Sequence, residues 1–169
     1  MKKLFAFSVL TLACVSLLPV SRARTAANDE AEIRQLLDRW EKAFRAKDIN
    51  GIMSIYAPGD TLVGFDIVPP LQYVGWDAYK KDYEDFLAQY QGPLDLEVRD
   101  LHVTAGDNVA FIFVLERISG TLKNGQKSEV WVRATECYRK INGHWLAVHD
   151  HISVPADMET GKAALNLKP

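Results

Sequence analysis

Two histidines flanking an aspartate, His149-Asp150-His151, stand near the end of the sequence, with Arg133 and Glu136 one short hairpin away. The pair between them, Asn142-Gly143, signals a two-residue hairpin turn, because both turn residues must tolerate positive φ. Such a turn sets Ile141 opposite His144 and fixes the register of everything beyond it. Glu136 is then expected to face His149, Ala134 to face His151, Thr135 to face Asp150, and Arg133 to face Ile152. One face would carry Trp131, Arg133, Thr135, Cys137, Val148, Asp150 and Ile152. The other would carry Val132, Ala134, Glu136, Tyr138, Ala147, His149 and His151. A strand wetted on one side shows one polar and one apolar face. Two mixed faces imply that one lines a pocket and the other meets a partner subunit; which is which stays open.

Two chemistries fit these residues. Same-face histidines can share a metal ion, but there is no His-Glu-x-x-His motif, no cysteine cluster and no third ligand nearby, so no metal is expected. The second constellation is Arg133 with Asp150 and Asp66. An arginine beside a carboxylate in a poorly hydrated cavity holds it charged. A second carboxylate against apolar walls is pushed up toward general-base strength. Asp66, followed by Ile67-Val68-Pro69-Pro70, is placed where a strand leaves the sheet at a mouth. Catalytic candidates are therefore Asp66, Arg133, His149, His151 and Asp150, with Tyr56, Phe65, Tyr73, Trp76, Phe113 and Trp131 as walls for an apolar ligand. A structural ion pair closing one end of the fold is the competing account of the same charges. No glycine-rich phosphate cradle, nucleophile elbow or dinucleotide fingerprint is present, so no cofactor is expected.

The elements that must position these groups change character midway. Asn28 or Asp29 is placed as the cap of a helix through Ile33, Leu36, Leu37, Trp40 and Phe44, spaced by threes and fours. Asp48 caps a short second helix through Ile52, Met53 and Tyr56. Thr61–Asp66 and Leu71–Val74 read as short strands, and a third helix runs from Gly75 or Asp77 through Tyr90 to a stop at Gly92-Pro93. From Leu94 the period becomes two, and turns at 106–108, 123–125 and 142–143 divide four long strands ending at Val154. Helices first and a meander after give an α+β fold. Strands this long must twist and curve, so helices on the inner side would enclose a cavity.

At 169 residues, 48% hydrophobic and 25% charged, the chain suits one domain with a core that needs no metal or disulfide. Met1-Lys2-Lys3, an apolar run from Leu4 to Val20 and small residues thereafter describe an export signal, cleaved after Ala27 or Ala23. Thr11 stands where a lipidation signal at Cys14 would carry leucine. Three segments result: a signal peptide at 1–27, one domain at 28–155 and a polar tail at 156–169. Removing 1–27 leaves 16 basic against 22 acidic residues, which argues against nucleic acid as a partner. It also leaves Cys137 as the lone cysteine. The mature product is expected in the periplasm or outside the cell, free of the membrane.

The segment Phe65-Asp66-Ile67-Val68-Pro69-Pro70-Leu71-Gln72-Tyr73-Val74-Gly75 and the ending Gly143-His144-Trp145 through His149-Asp150-His151-Ile152-Ser153-Val154-Pro155 resemble the SnoaL-like branch of the nuclear-transport-factor-2-like superfamily. Many of its members are labelled ketosteroid-isomerase homologues, and the resemblance covers about residues 30–155. It implies a cone-shaped fold, with N-terminal helices on a strongly curved antiparallel sheet, a pocket on the concave side and a homodimer through the convex one. It implies function far less, because the fold hosts isomerases, cyclases, hydrolases, dehydratases and association domains. In ketosteroid isomerases a strand aspartate shuttles the proton while a tyrosine and a protonated aspartate hold the dienolate. Asp66 falls near the base position, and Tyr56 or Tyr73 is available for the oxyanion. The Asp-Arg-Asp set of related epoxide hydrolases is broken here, since Thr135 follows Arg133 where Asp would stand. Two readings remain: an isomerase or lyase moving a proton on an apolar carbonyl compound, or a non-catalytic, dimeric binding and association module.

Overall fold

The computed structural model describes residues 19–169, with side chains from Ala26 onward. The expected leader up to residue 18 lies outside the described residues. The order is α1 (Pro19–Ala46), α2 (Ile49–Met53), a 3-10 turn (Gly59–Thr61), β1 (Val63–Phe65), β2 (Tyr73–Val74), α3 (Trp76–Leu87), β3 (Tyr90–Ala105), β4 (Val109–Leu122), β5 (Lys127–Ile141) and β6 (His144–Ser153). The six strands form one sheet in the order β2-β1-β6-β5-β4-β3. All neighbours are antiparallel except β1, which runs parallel to β6 and extends the meander past its last strand. Among the described residues no helix is long and apolar enough to cross a membrane.

The stripe Ile33, Leu36, Leu37, Trp40 and Phe44 is buried, and α1 lays it chiefly on β3. Amphipathic spacing thus decides which side of the helix meets the sheet. The helix does not begin at Asn28 or Asp29 as expected; it is already helical from Pro19. Asp29 is instead a buried acid that accepts hydrogen bonds from Lys140 and from the Trp145 indole. Asp48 does cap α2, its carboxylate accepting from the Gly51 amide at 3.1 Å. The third helix is shorter than its apolar pattern suggested. It ends at Leu87, and Tyr90 opens β3 with Gly92-Pro93 inside the strand. A break in register between Gln91 and Asp95 absorbs that pair, with Gly92 at φ 68°. A second break between Arg99 and His102, where Asp100 has φ 54°, explains why the inward set steps from Val98 to Leu101.

The last hairpin holds the main correction. Ile141 faces His144 and Tyr138 faces Ala147, as the Asn142-Gly143 turn requires. Beyond that point the register slips by one, and Cys137 pairs with His149, Glu136 with Asp150, Thr135 with His151, Ala134 with Ile152 and Arg133 with Ser153. A bulge that sets two residues against one reverses the facing of every later side chain. Asp150 therefore joins Val132, Ala134, Glu136 and Tyr138 on the face toward the helices, while His149 and His151 turn outward with Arg133, Thr135 and Cys137. The faces drawn from an unbroken register are wrong from His149 onward.

Gly64 of β1 marks a close approach between this strand and α3, because a Cβ there would lie 2.5 Å from the Tyr79 ring. Gly64→Ala must displace that ring, at a cost of about 1–3 kcal/mol. Urea denaturation is expected to show the loss, and an unchanged midpoint would mean the ring is free to move.

Candidate functional site

Three strands each send an acid to the inner face: Glu116 from β4, Glu136 from β5 and Asp150 from β6. All are buried, with Asp150 1% exposed. Tyrosines meet them from the other side. Tyr56, just past α2, donates its hydroxyl proton to Asp150 Oδ2 at 2.8 Å, and Tyr79 of α3 donates to the same oxygen at 2.7 Å. The Tyr56 and Tyr83 hydroxyls lie 2.8 Å apart. Since the Tyr56 proton is committed to Asp150, Tyr83 is the donor in that contact. Tyr138 donates to Glu136 Oε2. Asp150 Oδ1 is buried without a partner, so one oxygen of this carboxyl is tethered twice and the other is unengaged.

Burial dominates the titration of the cluster. It raises Asp150 to about 6, against the pull of the Tyr79 and Tyr56 hydroxyls, which favour the charged form. Glu116 rises to about 8 through burial, then through the neighbouring Asp150 and Glu41 carboxylates. Glu136 rises for the same kind of reason, with Tyr138 acting in the opposite direction. Burial first, and Asp150 next, push Tyr56, Tyr79 and Tyr83 upward, so these hydroxyls stay protonated as donors. Asp82 of α3, near the sheet edge, is held up to about 7 by burial and by the adjoining Asp66 carboxyl.

The expected site residues separate into two groups. Asp66 is half-buried at the β1 edge, accepts from the Ile67 amide, and lies within electrostatic reach of Asp150 and Tyr79. Arg133 and His151 are exposed on the outer face, and His149 is half-buried there. His149 Nδ1 donates to the Val63 carbonyl at 2.8 Å, and Phe65 packs edge-on against both histidine rings. Arg133 is thus on the opposite side of the sheet from Asp150 and does not pair with it. The expected ligand walls divide likewise. Tyr56 is inside, Tyr73 stands on β2, Trp76 opens α3, and Phe113 and Trp131 lie outside, with Arg99 over the Trp131 ring. Sequence reasoning did not single out Glu116, Tyr79 or Tyr83 as site residues, and for Glu116 a signal was present, since it breaks the apolar alternation of β4 on its inward side.

Two clefts open elsewhere. One of about 600 Å³ sits over the bend of β3 and β4 around Leu94 and Gly120, and one of about 310 Å³ lies between α1 and the last hairpin turn. Neither is lined by Asp66, Arg133 or Asp150. Among the described residues no three histidine, cysteine or acidic side chains converge as metal ligands.

A family model for the SnoaL-like domain matches residues 33–157. This chain belongs to the SnoaL-like family. Solved structures agree on its fold. A nuclear-transport-factor-2-like protein of unknown function from Pseudomonas putida is 38% identical over 85% of this chain and 99% of its own, with a TM-score of 0.76. A superfamily member from Salmonella enterica, 18% identical, covers 81% of this chain and 98% of its own at 0.71. A ketosteroid isomerase-like protein from Erwinia carotovora, 20% identical, covers 74% and 95% at 0.63. No curated protein matches the SnoaL-like chain significantly. The α+β, nuclear-transport-factor-2-like fold expected from the sequence is the fold found.

The buried acids set a pH dependence. Glu116 keeps its proton in the folded state up to about pH 8, whereas an unfolded glutamate ionises near ~4.3. Between those values the native state binds more protons, so stability is full below the lower value and falls as pH rises through the window. Glu116→Gln removes that titration. The variant is expected to gain melting temperature over the parent at pH 8 and to differ little at pH 5; parallel pH profiles would mean Glu116 ionises freely in the fold.

Proposed function

We propose that this SnoaL-like domain binds a small organic molecule at its inner face and moves a proton on it, with Asp150 as the base. The observation that carries the reading is the asymmetry of one carboxyl group, whose Oδ2 is fixed by Tyr56 and Tyr79 while Oδ1 is buried and unpartnered. A carboxylate so held presents a lone pair in a fixed direction, and a value of about 6 suits a base operating near neutral pH. Tyr83, half-buried and hydrogen-bonded to Tyr56, offers the proton a path toward solvent. The reaction class is isomerisation or elimination beside a carbonyl, where the base removes a proton from the carbon next to the C=O. Asp66 and Asp82 stand at the sheet edge and assist exchange rather than attack substrate. This shifts the base from Asp66, the residue indicated by the resemblance, to Asp150.

The outer face supports a homodimer. Val109, Phe111 and Phe113 of β4 are 59%, 41% and 47% exposed in a row on it, an apolar strip of the kind that marks association surfaces. Arg133, His149 and His151 belong to that surface. The same row favours the second reading, an association module without turnover. Residues 1–27 are proposed as a cleaved export signal, on the basic start, apolar run and small residues that follow it.

Two measurements test these proposals. A thermal-shift screen of hydrophobic ketones should yield compounds that raise the melting temperature. Turnover of such a compound should rise with pH through about 6 and be lost in Asp150→Asn. Stabilisation that survives Asp150→Asn with no turnover in the parent would leave the association module standing. Phe113→Asp is expected to convert a dimer to monomer in analytical ultracentrifugation, and a parent already monomeric would remove the dimer.

A further inference from the structure

The larger cleft, of about 600 Å³, lies where β3 and β4 bend, and none of the buried acids lines it. Between Gln91 and Asp95 the register of β3 breaks around Gly92 and Pro93, and a break of this kind bends a strand. Gly120 on β4 lets the strands close up, since a Cβ on it would come within 2.9 Å of Leu94 and of the Tyr90 ring. The hollow is therefore shaped by backbone. Its size falls within the range of small-molecule sites, roughly 300–1,000 Å³.

Its polar walls form a grid. Gln91, Thr121 and Lys127 pair across β3, β4 and β5 in one row, and Asp95, Ser119 and Glu129 pair in the next. Residues two apart on a strand share a face, so the two rows point the same way. Neighbouring side chains hold them in place. Arg117 donates to Asp95 Oδ2 at 2.7 Å, to the Ser119 hydroxyl at 3.0 Å and to Glu129 at 3.4 Å, while Lys127 donates to the Thr121 hydroxyl at 2.7 Å. A hydroxyl that accepts in this way keeps its own proton for a further partner. Ser119 and Thr121 thus offer O–H donors, Asp95 offers Oδ1 as an acceptor, and the Gln91 amide brings both kinds.

The charges of the cleft favour neither sign of ligand. Both lining carboxylates are already ion-paired, Asp95 by Arg117 and Glu129 by Arg117 and Lys168, so a cation finds little to neutralise. Lys127, the one cation of the lining, shares the grid with those carboxylates, which oppose an anion. Donors and acceptors set side by side without net charge match groups that donate and accept at once, and the hydroxyls of a sugar are such groups.

We propose that this cleft binds a neutral, hydroxyl-rich ligand, a short oligosaccharide, with Gln91, Asp95, Ser119 and Thr121 as its hydrogen-bonding groups. The site is separate from Asp150 and does not depend on the proton-transfer reading. It also stands clear of the apolar strip on β4, because Phe113 and Ser119 are six positions apart on that strand, about 20 Å.

The full chain is titrated by amide NMR with maltotriose, cellotriose and triacetylchitotriose, and with glucose, glucosamine and glucuronate as a charge series. A saturable response to a trisaccharide is expected, largest at the Gly120, Thr121 and Ser128 amides, with no gain for glucosamine or glucuronate over glucose. Gln91→Ala combined with Asp95→Ala should weaken binding about tenfold, the worth of two hydrogen bonds. Thr121→Trp fills the cleft and should abolish binding while leaving ketone turnover unchanged; if it fails to fold, the double variant decides alone. Shifts confined to other parts of the fold, or binding untouched by the variants, would overturn the inference. Glucosamine or glucuronate binding tenfold more tightly than glucose would make the site ionic and overturn it as well. No response to any trisaccharide would remove the site and leave the Asp150 chemistry standing.

Discussion

Between the Tyr138–Ala147 pair and the Cys137–His149 pair, β6 takes up one residue more than β5, and the inner chemistry of the fold depends on that insertion. A strand's side chains alternate with a period of two, so one extra residue exchanges the inside for the outside in everything beyond it. With the bulge, Asp150 comes to lie beneath the hydroxyls of Tyr56 and Tyr79. Without it, Asp150 would stand on the outer face and two histidines would fill the helix-packed side. Bulges of this kind re-aim side chains next to functional sites. The parallel strand β1 reinforces the shifted register: Val63, Gly64 and Phe65 pair with His149, Asp150 and His151, and the His149 ring is tied to the Val63 carbonyl.

The inner face trades stability for chemical potential. Burying carboxyl groups without basic partners forces them toward their neutral forms, and the fold compensates only in part with tyrosine hydroxyls. Tyr56, Tyr79 and Tyr138 donate to Asp150 and Glu136, but Oδ1 of Asp150 stays unengaged. An arrangement built for stability alone would have replaced these acids with apolar residues of similar volume, a change that is often neutral or favourable. Their position on three successive strands, opposite the tyrosine hydroxyls, is what the proposed chemistry rests on. The outer face carries apolar side chains of β4 and the displaced histidines, so that chemistry and a second subunit would occupy opposite sides of the same strands.

Much of the architecture could be read directly from residues. The apolar stripe of α1, the Asp48 cap, the turns at 106–108, 123–125 and 142–143, and the start of β6 at His144 all stand where local pattern put them. Each depends on interactions within a few residues along the chain. The departures lie where distant segments decide. Tyr90 continues a helical apolar spacing yet opens β3, since pairing with Leu122 outweighs one more turn of helix. Asp29 has the residue type of a cap but is claimed by Lys140 and Trp145, more than a hundred positions away.

The sequence by itself determined the class of fold, the family and the identity of most core residues, because hydrophobic periodicity and turn chemistry are local and strongly patterned. It also offered Asp66, Tyr56 and the His149-Asp150-His151 run as the chemical vocabulary of the chain. Which of those groups face one another was decided only by tertiary structure. A bulge leaves almost no mark in a run such as Ala147-Val148-His149, because each residue suits either face of a strand. The choice falls to the partners waiting on each side, the tyrosines of α3 and the loop after α2 on one, and water or a second subunit on the other.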